Sequence, residues 1–170
     1  MLHNIKNITV QNNTLYNNNN QLKLVYDNCN AGFMRNLNLK NNILFSKTNK
    51  QSIIEAYSTV NDIASFGVFH SNYYCQAKND SLSFSVNFKR VSFSLWEFTV
   101  ERNIINKNIL LNFPNFANSF QLEYNATQKD KVISLKSKYL DIKNKKYADT
   151  ITLKPFSSII IRKIKNITAQ

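Results

Sequence analysis

The sequence predicts an all-β chain: a short parallel β-helix of about three coils, followed by a small antiparallel, sandwich-like module. Three observations predict it. A 29-residue repeat runs through the first half, Asn pairs recur at one phase of that repeat, and five short strand-like runs follow Pro114. The 170 residues, 43% of them apolar and 12% aromatic, are enough to bury a core.

The repeat is read directly from the residues. Residues 7–16, NITVQNNTLY, match residues 36–45, NLNLKNNILF, and the same step lands on SFGVFHSNYY at 65–74. The expected apolar columns are Ile8/Leu37/Phe66, Val10/Leu39/Val68, Leu15/Leu44/Tyr73 and Tyr16/Phe45/Tyr74. Leu24 with Ile53 and Val25 with Ile54 extend them. Ile8 and Val10 alternate with Asn7, Thr9 and Gln11, the period of a strand with one buried face. The Asn-Asn pair that follows is turn chemistry, because Asn tolerates left-handed backbone. A strand-turn-strand unit cannot bury its face alone and must stack on its neighbours. Stacked at ~4.8 Å, equivalent residues form aliphatic columns inside and Asn ladders at the bends. The tract Asn17–Asn20 reads as a bend between walls.

Beyond residue 78 the period is lost, so coils are expected over 1–78, a connecting segment over 79–115 and a separate module over 116–170. In the connector Leu82, Phe84, Val86 and Phe88 alternate as in a strand, while 95–105 could form a short helix. In the module the strand-like runs are 119–124, 131–135, 138–142, 150–153 and 158–162, with Pro155 at a strand end.

The run from Leu122 to Lys163 resembles the closing segment of secreted bacterial right-handed parallel β-helix proteins. The matching positions are Tyr124, Asn125, Thr127, Ile133, Leu135, Tyr139, Asp141, Tyr147, Ile151, Leu153, Pro155, Phe156, Ser157, Ser158 and Ile160. SNYY at 71–74 and SLWEF at 94–98 are similar to the last coil and the following segment of the same group. Where that pattern has a turn Gly after the Asp, this chain offers Asn144 as the left-handed residue. The resemblance implies an extracellular or cell-surface protein that acts on or adheres to polysaccharide. It also implies many more coils and an export signal. Residues 1–13 have no apolar run of the signal-peptide kind. The expected partner of the first coil is therefore a missing N-terminal part of the same protein.

Composition narrows the chemistry. Two glycines leave no Gly-rich phosphate loop, and two histidines with no Cys-x-x-Cys leave no familiar metal motif, so neither cofactor nor metal is expected. Whether Cys29 and Cys75 pair is open at this level. No apolar run is long enough for a membrane span. The five Asn-x-Ser/Thr sequons, at Asn7, Asn12, Asn79, Asn125 and Asn166, are what 28 Asn give by chance. A net charge of +12 favours a polyanion, but 18 of the 22 basic residues are Lys, and Arg clustering of the nucleic-acid kind is absent. Charge alone does not decide the partner; the resemblance implies polysaccharide, with acidic glycans among the candidates, and nucleic acid is not expected.

Catalysis is not expected of this segment alone. The repeat region holds only Asp27, Glu55 and Asp62, none at a shared phase, which disfavours paired carboxylates. The alternative is a lyase for acidic glycans, with most of its site on missing coils and Lys40 or Arg35 as local contributors; His70 is expected at a turn. A sugar-binding wall is easier to place: Thr9, Gln11, Asn38 and Lys40 face outward on the first wall, with Phe69 available to stack on a ring. Trp96 is the other candidate platform, with core packing beside Phe93, Leu95 and Phe98 as its alternative.

Overall fold

Short alternating runs between Asn-rich bends give short strands, and in the first unit, Met1–Asn115, these pair in parallel. A first pass of the chain makes β1 (Leu2–His3), β2 (Thr9–Gln11) and β3 (Thr14–Tyr16). A second makes β4 (Asn20–Tyr26), β5 (Leu37–Lys40) and β6 (Ile43–Ser46). A third makes β7 (Ser52–Ser58), β8 (Gly67–His70) and β9 (Tyr73–Gln76). Then come β10 (Phe84–Val86), β11 (Lys89–Val91), α1 (Phe93–Val100) and β12 (Ile109–Asn112). The chain visits three sheets in rotation, ordered β1-β4-β7-β10-β11, β2-β5-β8 and β12-β9-β6-β3. Every pairing among them is parallel except the β10–β11 hairpin. The structure is a computed structural model that describes residues 1–28, 32–76, 83–100, 109–112 and 119–164. Cys29, Asn79, Asn166 and residues 101–105 of the expected helix lie outside the described residues.

Asn does at the bends what Gly does in other chains. Among the described residues, ten of the fourteen non-Gly residues with positive φ are Asn, including Asn7, Asn12, Asn36 and Asn41 at φ 56–60°. The short amide side chain makes this backbone region accessible. A ladder of amides then ties the passes together. The Asn13 N–H donates to Asn42 Oδ1 (3.0 Å) and the Asn42 N–H to Asn72 Oδ1 (3.0 Å). The side-chain nitrogens of Asn42 and Asn72 donate to the carbonyls of Val10 (2.9 Å) and Leu39 (3.0 Å). Asn42 and Asn72 are buried, so each of these bonds satisfies a group that water cannot reach.

The register corrects the expected columns. Between the first two passes the step is 29: Val10 pairs Leu39 and Leu15 pairs Leu44. Between the second and third it is 30, so Leu39 pairs Phe69 and Leu44 pairs Tyr74. A one-residue slip exchanges the two faces of a strand. Phe69 is therefore fully buried, and Val68, expected inside, is 52% exposed. On the third sheet the step is 32, pairing Leu22 with Ile54 and Leu24 with Ala56 rather than with Ile53, because residues 47–51 make a longer bend than 17–19. The slip on the β5–β8 side coincides with Gly67, where a Cβ would lie 2.0 Å from the Leu37 carbonyl oxygen. Only glycine lets the two backbones approach so closely.

The core of this unit includes Leu22, Leu24, Leu37, Leu39, Leu44, Ile54, Phe66, Phe69, Tyr74, Phe84 and Trp96, with Leu2, Ile5, Val10 and Leu15 of the first pass partly buried against it. Ser92 caps α1: its hydroxyl accepts the Leu95 N–H (3.2 Å). The helix delivers Trp96 into the core, stacked on Phe84 at 5.2 Å and edge-on to Phe69 at 5.7 Å.

The second unit, Phe116–Gln170, is antiparallel throughout its described strands. These are β13 (Phe120–Tyr124), β14 (Lys131–Ser134), β15 (Tyr139–Asp141), β16 (Lys146–Tyr147), β17 (Thr150–Leu153) and β18 (Ser158–Lys163). They form a sheet ordered β13-β18-β15-β16 and the pair β14-β17. A small core of Ile151, Leu153 and Ile161 lies among Ile133, Leu135, Tyr139, Tyr147 and Ile159. Pro155 falls between β17 and β18, where no ladder bond is lost. Asn125 is buried and donates to the carbonyls of Leu153, Lys154 and Lys129 at 2.7–3.0 Å, while its oxygen accepts from Thr127. Asn144 takes φ 62° in the β15–β16 turn.

Candidate functional site

The wall formed by β2, β5 and β8 is the sheet on which the expected sugar-binding residues lie. Its register sets Thr9 beside Asn38 and Val68, and Gln11 beside Lys40 and His70. In-register neighbours share a face, so two outward rows run across three strands. Thr9 and Gln11 are exposed, and Asn38, Lys40 and His70 are half-buried. At the edge of the wall the Asn36 amide donates to Asn7 Oδ1 (2.9 Å), continuing the polar surface. Asn38 Oδ1 and His70 Nδ1 are buried atoms with no hydrogen-bond partner among the described residues.

Two of the expected contacts are not on this surface. Phe69 is fully buried, because the slip of β8 turns it inward and turns Val68 and His70 outward. Trp96 is fully buried as well, between Phe69 and Phe84, because α1 carries it into the core. Neither ring can stack on a sugar. His70 is the residue that sequence reasoning missed: the run Val68-Phe69 fits either face, and His70 follows whichever face is chosen.

The carboxylates of the repeat are each engaged. Asp27 Oδ2 lies 2.8 Å from His3 Nε2, and Asp27 Oδ1 accepts from the Asn4 amide (2.6 Å). Glu55 pairs with Lys23 at 2.6 Å, as their in-register positions on β7 and β4 require. Asp62 receives the Ser58 hydroxyl and the Arg35 guanidinium. Burial pushes the Asp62 pKa upward, but the Ser58 and Arg35 hydrogen bonds and the Arg35 charge outweigh it and hold the carboxyl below its usual range. Asp62 is thus a fixed anion, unsuited to donating a proton near neutral pH. Arg35 is spent on this pair and on the Phe33 ring 5.2 Å away. Lys40 makes no ion pair among the described residues. Cys75 is buried, and burial drives its thiol far above the range in which a thiolate forms. No group of three or more His, Cys, Asp or Glu that could hold a metal occurs among the described residues.

The surface can therefore offer hydrogen bonds and one free ammonium charge, on rungs about 4.8 Å apart. No protein-family model, no curated protein and no solved structure matches the chain.

Proposed function

We propose that the first unit is a right-handed parallel β-helix and that the chain is the C-terminal, non-catalytic segment of an exported β-helix protein that binds polysaccharide. The observation that carries the reading is the row Gln11–Lys40–His70 beside Thr9–Asn38, polar groups repeated in register on an outward wall. Rungs spaced at ~4.8 Å set the side chains of Gln11, Lys40 and His70 in line across the wall, so an extended chain laid along the row can meet a polar group at each rung. The three passes, each returning to the next strand of the same three sheets, support the β-helix reading.

The ladder of amides supports a further coil stacked on the first pass. Asn42 and Asn72 each send their side-chain nitrogen back to a carbonyl of the preceding pass, whereas Asn13 turns its own to Gln11 in the same pass (2.8 Å). An additional pass would give Asn13 the bond its two counterparts make.

Binding is tested by affinity electrophoresis in gels carrying neutral and acidic glycans. The chain is expected to be retarded, and the double variant Gln11→Ala, Lys40→Ala to migrate as in a glycan-free gel. Equal retardation of parent and variant would remove the wall from the site. A second reading, a polysaccharide lyase, draws on Lys40 lying beside His70, a cation next to a candidate base. It requires the ultraviolet absorbance of an unsaturated uronate to grow when the protein is incubated with a polyuronate. Binding without that signal leaves the non-catalytic reading.

A further inference from the structure

The turn between β10 and β11 carries an aromatic ring where the backbone favours glycine. Val86 pairs with Lys89, so Asn87 and Phe88 are the two central residues of the hairpin, and their φ values are 47° and 66°. A two-residue turn of this kind needs left-handed backbone at both positions, and Asn-Gly is its usual filling. A phenylalanine at the second position strains that backbone. Phe88 is nonetheless 72% exposed, so core packing does not hold it there. Its ring lies against Tyr57, with centroids 4.8 Å apart and planes tilted by 39°. Strain kept where the core does not require it points to a role at the surface.

The surroundings narrow what that ring can meet. Asn87 Oδ1 accepts the Ser58 N–H (2.8 Å), and the Asn87 amide nitrogen donates to Asn61 Oδ1 (2.9 Å). Both ends of the amide are thus used inside the protein, and the bend they hold presents an exposed Val60. The Arg90 guanidinium is likewise turned back, donating to the carbonyls of Gln51 (3.2 Å) and Lys50 (3.0 Å). Its charge remains, and beside it Lys89 is exposed and makes no ion pair among the described residues. On the neighbouring strand β7 and the bend after it, Glu55 is paired with Lys23 and Asp62 with Arg35. The tip therefore presents apolar surface beside two positive charges.

We infer that the β10–β11 tip is a contact for the surface of an anionic lipid bilayer. Phe88, with Tyr57 and Val60, enters the interfacial layer, while Lys89 and Arg90 meet the headgroups. Apolar burial and attraction to anionic lipid add in binding of this kind. A phenol with an apolar ring and a wet hydroxyl, as Tyr57 supplies, suits the headgroup level. The contact is one of surface only: no described helix is long and apolar enough to cross a membrane. A glycan would need side chains free to bond its hydroxyls, and Asn87 and Arg90 are committed inward. Single-stranded nucleic acid would need successive stacking platforms, and the tip offers one ring backed by Tyr57. The inference concerns residues outside the β2-β5-β8 wall and does not depend on the polysaccharide reading.

The test is co-sedimentation of the full chain with vesicles of phosphatidylcholine, alone or with about a quarter phosphatidylserine. Partitioning onto the anionic vesicles is expected to be about tenfold stronger, and to fall as salt is raised. Phe88→Gly should weaken it about fivefold. The thermal midpoint of that variant should stay level or rise, because glycine suits the turn. Lys89→Gln should also cost about fivefold, on the anionic vesicles only. Phe156→Gly is the control: Phe156 is equally exposed and has φ 52°, but the nearby Lys154 is neutralised by Asp130. It should leave partitioning within about twofold. Equal losses from the two glycine variants would mean unspecific apolar adhesion and overturn the site. Equal partitioning onto both kinds of vesicle, or none onto either, overturns the inference. A clearly lower midpoint for Phe88→Gly would show the ring held for packing on Tyr57 and overturn it as well. Single-stranded DNA bound by the parent and lost by Phe88→Gly, without vesicle binding, would make the tip a nucleic-acid contact instead. No variant alters the β2-β5-β8 wall, so the polysaccharide reading stands or falls separately.

Discussion

The two units use the same residue for different tasks at their bends. In the first, Asn42 and Asn72 reach across to the neighbouring pass and bond its backbone, so the bend itself carries the register. In the second, Asn125 ties its own loop to the end of β17, and Asn144 serves only as the left-handed residue of a hairpin turn. The difference follows from strand direction. A parallel partner is reached only after a full pass of the chain, so the bends must hold successive passes in phase. An antiparallel hairpin holds its own phase through the ladder.

The sharpest way to break the comparison is to place a charge on the two residues that the slip of β8 separates. Leu39→Asp should abolish cooperative folding of the first unit, because an unpaired carboxylate there costs more than ~4 kcal/mol. Val68→Asp on the exposed side should stay within ~0.5 kcal/mol of the parent. Thermal melts followed by circular dichroism check both, and a reversed order would mean that β8 lies in the other register. Next in size is Asn72→Ala. It removes a buried amide that bonds the Leu39 carbonyl and accepts from Asn42, and should cost about 3 kcal/mol in urea unfolding. A loss under ~1 kcal/mol would show that the ladder does not hold the passes together.

Asn144 sharpens the other side. Asn144→Ala should cost ~1 kcal/mol and Asn144→Gly almost nothing, because only the left-handed backbone is at stake. Equal costs would point to a side-chain role for the amide. The smallest expected effect is in acid. Asp62 has a folded pKa below its unfolded value, so its contribution is fully present above about pH 3.9 and is lost as pH falls through the depressed folded value. Asp62→Asn should therefore lower stability at neutral pH and flatten the acid limb of the stability curve. An acid limb identical to the parent's would mean that the Arg35 and Ser58 contacts carry no net stabilisation.

Much of the fold was legible before any coordinates. Asn12-Asn13 and Asn41-Asn42 mark equivalent bends, and the alternation of Ile8 to Gln11 marks a strand, because both signals are local. The runs of the second unit became β13, β14, β15, β17 and β18 nearly as read, each being bounded by polar turn residues. The candidate wall was legible at Thr9, Gln11, Asn38 and Lys40, where the step is 29. It was not legible at Phe69 and His70. Val68-Phe69 offers two apolar neighbours, and alternation cannot choose between them. Trp96 was undecided for a related reason: a run of Phe, Leu and Trp can be a strand or a helix, and the Ser92 cap settles it as a helix.

What the sequence determined by itself is periodic and local: strands, bends, the Asn residues that can take positive φ, and a strong excess of lysine. What tertiary structure alone decided is which face of each strand lies inside and which charges remain unpaired. Face depends on the length of every bend between one pass and the next: the step changes from 29 to 30 between successive passes on one sheet and is 32 between β4 and β7 on another. Pairing depends on register too: Lys23 meets Glu55 because their strands align, while Lys138 and Lys146 meet no carboxylate among the described residues, Asp141 and Glu123 of their sheet projecting from its other side.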